Sequence, residues 1–430
     1  MLKKTKKQDN NFITSLNTSS KSSLTLTSKY SSSENYADVA DADQNGVTMN
    51  NQVQIGGKVI GKGGFGCVVS PSIKCSKKDK NTNQMVSKIV RSSDPSYSNE
   101  LKISQILRKI DSSKKYYITF DKYCYINEPI SDRTDIVNVH YINDELTKWK
   151  VTKGQENKDN DACDIELTHK PLNLIMEYGG YSLSNIQRVN QRLQGTKAKM
   201  HQLFIDNLGL YMKHLILGIV KMHFNRIVNR DIKPHNIMMN FNKETGRVQI
   251  RYIDFGLSDF LNNDFCDNED NIINKGTKKY ISPDLYIAYV IIRYKDRSNV
   301  YKIQKIIKYL DANFKYSITS INQRELIGNY TENVNLLYRK LLELHEQGKL
   351  LSSYFGTERN KFNGYLQKGD IYALGLTIYN FLYLNSDIDV QKNNNLYDLL
   401  IHMIAMDPDK RYNAVKCLAH PFLQSIDKKQ

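Results

Sequence analysis

No Cys-x-x-Cys pair occurs in this chain: its six cysteines, Cys67, Cys75, Cys124, Cys163, Cys266 and Cys417, lie far apart. That spacing matches neither a zinc site nor a disulfide framework, and it points to a reducing compartment. Long hydrophobic runs are missing too. The longest, around Leu285 to Ile292, is too short to cross a bilayer. The N-terminal Met1-Leu2-Lys3-Lys4-Thr5-Lys6-Lys7 is basic but has no apolar core behind it, which argues against a signal peptide. These absences give the expectation of a soluble, intracellular protein without a transmembrane segment.

Negative charge is in short supply: 61 Lys and Arg stand against 45 Asp and Glu, a net +16. Such an excess suits partners that carry phosphate or carboxylate, and it also suits a lysine-rich solubilising surface. The composition, heavy in Asn, Lys, Ile and Tyr, resembles that of chains from AT-rich genomes such as giant DNA viruses. Residues 1–52 hold little apolar surface to offset their ordering entropy and read as a disordered tail. Within the tail, Asp41-Ala42-Asp43-Gln44-Asn45-Gly46 opens like a calcium loop. Its twelfth position is Gln52 where a bidentate Glu is required, so calcium binding is not expected.

From Val53 the pattern becomes that of a folded domain. Alternating apolar residues and glycines over Ile55 to Val69 predict a β-hairpin, and Met85 to Val90 and Leu172 to Met176 predict strands. Leu101, Ile103, Ile106, Leu107 and Ile110 fall on one helical stripe, and Leu203 to His223 reads as helix. Residues 131–166 are polar and read as an irregular surface insertion. The fold class is therefore α+β, with a strand-rich first part and a helical second part.

Three constellations carry chemistry. Gly61-Lys62-Gly63-Gly64-Phe65-Gly66-Cys67-Val68 is a glycine-rich hairpin whose backbone N–H groups can approach a polyphosphate. Lys88 sits inside the predicted strand Met85 to Val90, and Glu100 opens the following helix as a carboxylate able to fix it. Most telling is Asn229-Arg230-Asp231-Ile232-Lys233-Pro234-His235-Asn236, followed after a strand by Asp254-Phe255-Gly256. One carboxylate to position a hydroxyl, a lysine to offset charge, and an amide and second carboxylate with oxygen ligands for Mg²⁺ are the parts phosphoryl transfer needs.

With these residues the chain resembles the eukaryotic protein kinase superfamily, serine/threonine branch, over residues 53–425. The resemblance implies a bilobal fold: an N-lobe of 53–176 with the insertion at 131–166, and a C-lobe of 179–425 with an insertion at 285–369. It implies ATP and Mg²⁺ as cofactors and a protein Ser/Thr hydroxyl as acceptor. By this likeness Lys88 pairs with Glu100 and the α/β-phosphates, while Val68 and Val86 roof the adenine. Met176 is the gatekeeper, and the backbone of Glu177 and Tyr178 is the hinge meeting the adenine edge. Asp231 resembles the catalytic base and Lys233 its phosphate-contacting partner, and Asn236 and Asp254 resemble the Mg²⁺ ligands. Thr277 is expected on Asp231, Asp284 on Arg411, and Asp370 beneath the catalytic loop.

Departures from the pattern also matter. Asn229 and Ser104 put polar groups where the family stacks an apolar column, which would weaken that packing. Asp284 replaces Glu. Between Ser258 and Thr277 there is no Ser, Thr or Tyr, so Asp267, Glu269 or Asp270 is expected to neutralise Arg230 in place of a phosphate. The insertion at 285–369 carries 14 basic and 7 acidic residues, and its Arg293, Lys295, Arg297, Lys302, Lys305 and Lys308 could dock an acidic partner or form a solvated face. The rival readings are a catalytically silent scaffold and, more remotely, a nucleic-acid binder. A small-molecule kinase is disfavoured by the segment Gly276 to Asp284.

Overall fold

Alternation in the first part of the chain builds a sheet. In the computed structural model, which describes residues 58–63, 66–75, 84–90, 95–125, 139–141, 148–151, 165–166, 171–187, 193–242, 247–262, 269–272, 275–318, 330–356, 364–383 and 394–427, strands β1 (Lys58–Gly63), β2 (Gly66–Ser70), β3 (Met85–Val90) and β4 (Phe120–Tyr125) join β8 (Leu172–Glu177). Their order is β1-β2-β3-β8-β4, antiparallel throughout. The expected tail at 1–52, with its partial calcium loop, lies outside the described residues.

Helix α1 (Pro95–Ile110) begins with proline, whose missing N–H costs nothing in a first turn. It presents Ile103 and Leu107 as fully buried residues, each worth about 1.5–3 kcal/mol of burial. The stretch expected to be irregular at 131–166 instead carries β5 (Val139–Tyr141), β6 (Lys148–Val151) and β7 (Ile165–Glu166) in one antiparallel sheet of order β5-β6-β7. These strands run only two to four residues each, too short for a visible alternation.

The cysteine reading needs a correction. Cys75, just beyond β2, and Cys124 on β4 form a disulfide across 49 residues of sequence. The sheet brings both beside Asn173 of β8, a proximity that linear spacing hides. Cys417 is the free cysteine among the described residues.

The second part is helical. The span expected as one helix from Leu203 is two, α3 (Gly195–Asp206) and α4 (Leu208–Phe224), bent by 82° at Asn207. Asn207 leaves helical geometry, and its side-chain amide donates to the Leu203 carbonyl at 3.0 Å, competing with the helix for that acceptor. β9 (Tyr181–Ser182) leads into α2 (Leu183–Ile186), and β10 (Ile227–Val228), β11 (Ile237–Asn242), β12 (Arg247–Tyr252) and β13 (Asp259–Phe260) follow α4. The β11–β12 hairpin pairs Ile237 with Tyr252, and β10 pairs with β13. Among the described residues no single helix is long and apolar enough to cross a membrane.

The C-terminal insertion folds onto this body. Helices α5 (Pro283–Arg293), α6 (Asn299–Ile318), α7 (Tyr330–Glu346) and α8 (Leu350–Phe355) share one buried cluster that includes Ile287, Ile306, Leu310, Val334, Leu341 and Tyr354. Helix α9 (Tyr365–Tyr383) runs behind it, almost wholly buried, followed by α10 (Asn394–Ile404), α11 (Ala414–Leu418) and α12 (Pro421–Asp427). Of the six basic residues singled out in the insertion, Lys302 is not on the surface: it is buried and donates to the Lys295 carbonyl at 3.2 Å.

Candidate active site

Two charge clusters sit where the sheet meets the helical part. In the first, β3 register carries Lys88 between Val68 of β2 and Leu174 of β8. Its ammonium donates to both Glu100 oxygens at 3.1 and 2.9 Å and to Asp254 Oδ1 at 2.8 Å. Burial opposes charge on Lys88, but Glu100 and Asp254 outweigh it and hold its pKa above the ordinary lysine range. Burial and the Asp254 charge shift Glu100 upward against the pull of Lys88. Asp254 behaves oppositely. Its burial is overcome by Lys88, so its carboxyl stays below the usual range. Two carboxylates around one ammonium leave a surplus negative charge, with Asp254 the more exposed at 30% against 7% for Glu100. Next to Glu100, the Asn99 amide donates to the Ser258 carbonyl, fixing α1 against the chain just beyond Gly256.

The second cluster is the catalytic-loop motif. Asp231 Oδ1 accepts from the Thr277 N–H at 3.0 Å and from its hydroxyl at 2.7 Å. Asp231 Oδ2 accepts from Lys233 at 2.7 Å and from the Asn236 amide at 3.0 Å. Lys233 also donates to the Thr277 hydroxyl at 2.9 Å. Asn236 immediately precedes β11 and Asp254 follows β12, and the Ile253 N–H donates to the Asn236 carbonyl at 3.0 Å. The hairpin therefore delivers the amide and the second carboxylate side by side.

Beneath the loop, Asp370 of α9 accepts from the N–H groups of Asn229 and Arg230, both at 2.8 Å, and from His223 Nε2 at 2.9 Å. Arg230 and Asp254 both adopt positive φ, 66° and 61°, a conformation that costs energy in side-chain-bearing residues; the Arg230 N–H is held there by Asp370 and the Asp254 carboxylate by Lys88. The polar Asn229 is engaged on both sides. Its side-chain oxygen accepts from the Asp231 N–H at 3.0 Å and its carbonyl from the buried Ser258 hydroxyl at 3.2 Å.

At the adenine-side positions the picture is mixed. Val86 is buried and Val68 half-buried. Gly61 and Gly63 lie on β1 and Gly66 opens β2, whereas Gly64, Phe65 and the side chain of Lys62 lie outside the described residues. Gly66 has a structural reason of its own, since a Cβ there would run into the Ile89 carbonyl. Met176 and Glu177 end β8. Glu177 makes a bidentate pair with the buried Arg251 of β12, at 2.9 and 2.7 Å, so it ties the sheet to the helical part. The Tyr178 N–H donates to the Gln84 carbonyl at 2.7 Å, so this amide is engaged within the protein.

Among the described residues the Arg230 guanidinium meets the carboxylate of Asp259 on β13, a residue outside the expected set, which takes Lys275 on its other oxygen at 3.1 Å. Asp267 and the side chain of Glu269 lie outside the described residues. The β10–β13 pairing, with Val228 opposite Asp259, brings this residue to the loop, a proximity that linear sequence does not show.

Among the described residues no group of three or more His, Cys, Asp or Glu side chains could form a closed metal cage. An amide and a carboxylate beside a surplus negative charge do fit Mg²⁺, which keeps waters and takes its remaining ligands from phosphate.

The fold and these two clusters define a phosphotransferase domain. A protein kinase domain model matches residues 55–302, and the chain belongs to the protein kinase family. It is 40% identical to the serine/threonine-protein kinase CAK1 of Saccharomyces cerevisiae over 65 residues, which span 15% of this chain and 18% of that relative. Over 184 residues it is 25% identical to the serine/threonine-protein kinase nekl-2 of Caenorhabditis elegans, covering 40% and 49%. It is 23% identical over 294 residues to myosin light chain kinase 2 of Homo sapiens, covering 65% and 39%. In each of these relatives the chain spans less than two thirds of the length.

Proposed function

We propose that this chain transfers the γ-phosphate of Mg-ATP to a serine or threonine hydroxyl of a protein. The observation that carries the reading is Asp231, whose two oxygens are aimed by Thr277, Lys233 and Asn236, beside a hairpin that ends in Asp254. In this reading Asp231 orients the acceptor hydroxyl and takes its proton as the O–P bond forms. Lys233 offsets charge on the moving phosphoryl group. Lys88, held by Glu100, grips the α- and β-phosphates, and the strands bearing Gly61, Gly63 and Gly66 lie over them. Val68 and Val86 cover the adenine, with Met176 behind it. The hinge at Glu177 and Tyr178 then meets the adenine edge through groups other than the Tyr178 N–H. Asn236 and Asp254 would hold Mg²⁺, which neutralises phosphate charge when bound.

Serine/threonine preference is supported by Lys233 two residues after Asp231 and by the names of two of the relatives above. The exposed Arg293, Lys295, Arg297 and Lys308 of the insertion favour an acidic stretch on the protein substrate. Phosphate incorporation from labelled Mg-ATP into a generic basic protein and into the chain itself, beside an Asp231→Asn control, tests the reaction. Incorporation on Ser or Thr that vanishes in the control supports it. Intact ATP binding in a wild-type chain that transfers nothing, even with added partners, would overturn it in favour of a scaffold.

A further inference from the structure

A kinase whose catalytic Asp follows an arginine commonly needs a phosphate on its activation segment, because the guanidinium is buried and must be neutralised before the segment can order. In this chain the requirement is met from within. The Arg230 side chain is only 2% exposed and that of Asp259 only 8%, so this is a buried ion pair with little solvent screening. The guanidinium also donates to the Asn271 carbonyl at 3.2 Å. The second oxygen of Asp259 takes Lys275.

These contacts lead directly into the reacting centre. Lys275 is followed by Gly276, where a Cβ would collide with the Arg230 carbonyl, and then by Thr277, which bonds Asp231 through both its N–H and its hydroxyl. Asp259 therefore clamps the catalytic loop and the segment carrying Thr277 to a single strand. From Asp259 to Gly276 the sequence has no Ser, Thr or Tyr, so it offers no hydroxyl to phosphorylate. The flanking hydroxyls are engaged: Ser258 is buried on the Asn229 carbonyl, and Thr277 is held by Asp231 and Lys233.

We propose that Asp259 is the built-in substitute for an activation-segment phosphate: a positioning residue that keeps the Thr277–Asp231 geometry assembled without modification. The inference rests on the protein-kinase reading above and adds how that site is switched, namely that it is constitutively on. Replacing the carboxylate takes the charge of Asp259 away from the buried Arg230 and from Lys275, so the segment loosens while the ATP cluster around Lys88 stays whole.

The test uses the full chain, phosphatase-treated and untreated, with Asp259→Ala, Asp259→Asn, Asp259→Glu and the double variant Arg230→Ala/Asp259→Ala. Phosphatase treatment leaves wild-type kcat unchanged. Asp259→Ala and Asp259→Asn lower kcat at least tenfold with KM for ATP within about twofold, Asp259→Glu recovers most of the loss, and the double variant is no worse than Asp259→Ala. Amide hydrogen exchange gives a readout independent of turnover: residues 275–282 exchange at least tenfold faster in Asp259→Ala than in wild type, with β3 and α1 unchanged. Wild-type kcat and slow exchange in Asp259→Ala, or phosphatase-sensitive wild-type activity, would overturn the inference. A wild-type chain that transfers no phosphate yet shows the exchange difference would instead count against the kinase reading alone.

Discussion

Arg411 and Asp284, 127 residues apart, meet at 2.7 Å with neither side chain exposed to solvent at all. The second carboxylate oxygen is not left over. Tyr354, from helix α8 of the insertion, donates to it at 3.2 Å. The guanidinium further donates to the Ala405 and Met406 carbonyls and lies over the Tyr372 ring. A shorter acid at this position is thus completed by a hydroxyl that the insertion supplies.

Removing one member of such a buried pair strands the other without a counter-charge. Arg411→Leu should cost about 3–5 kcal/mol of stability, and Tyr354→Phe about 1 kcal/mol. Urea unfolding of each variant measures both. A loss under about 1 kcal/mol for Arg411→Leu would refute the buried-pair account.

The Lys88 and Asp231 clusters should separate kinetically. Asp231→Asn lowers kcat about 10²–10⁴-fold with nucleotide affinity retained, as expected for a lost general base. Lys88→Met removes the ammonium that holds Glu100 and Asp254, so nucleotide affinity and kcat fall together. Steady-state kinetics with calorimetric nucleotide titration distinguish these patterns, and identical effects in both variants would contradict the division of labour.

His214 makes stability depend on pH. Burial is the main reason its pKa falls to about 4; the hydrogen bond to the Lys115 carbonyl opposes the shift, and the Lys115 and Arg251 charges reinforce it. Its ring stacks on Tyr116 with centroids 4.7 Å apart. Because the folded pKa lies below the unfolded value of about 6.5, the unfolded chain binds the extra proton. Stability is therefore full above that value and is lost as pH falls toward 4, by about 1–3 kcal/mol. Comparing unfolding at pH 7 and pH 5 for wild type and His214→Gln isolates this contribution; equal pH losses in the two would exclude it.

Glu177 should report on inter-lobe anchoring. Glu177→Gln weakens the bidentate contact with Arg251 and leaves that buried guanidinium undercompensated. A cost of about 1.5–3 kcal/mol is expected, read as a lower Tm, and a variant as stable as wild type would show the pair to be incidental.

What could be read in the sequence was what chemistry demands locally. Lys88, Asp231, Lys233, Asn236 and Asp254 stand in short motifs, and β3 is a short run of strand-forming apolar residues around Ser87 and Lys88. Features made by distant residues were not legible. Asp259 is one acid among several in its loop until β13 pairs with β10. Cys75 and Cys124 are separated by 49 residues until the sheet adds β8 between β3 and β4. The bend at Asn207 depends on a side chain capturing a carbonyl, which leaves the apolar pattern on either side unchanged.

The Tyr309 hydroxyl on α6 donates to the Lys278 carbonyl at 3.1 Å while its ring stacks on Tyr286 of α5, with centroids 3.4 Å apart. Lys278 follows Thr277, the residue that holds Asp231. The insertion therefore rests one residue from Thr277, so a displacement of α6 is passed through the Tyr309 hydroxyl to the backbone beside the residue that holds Asp231.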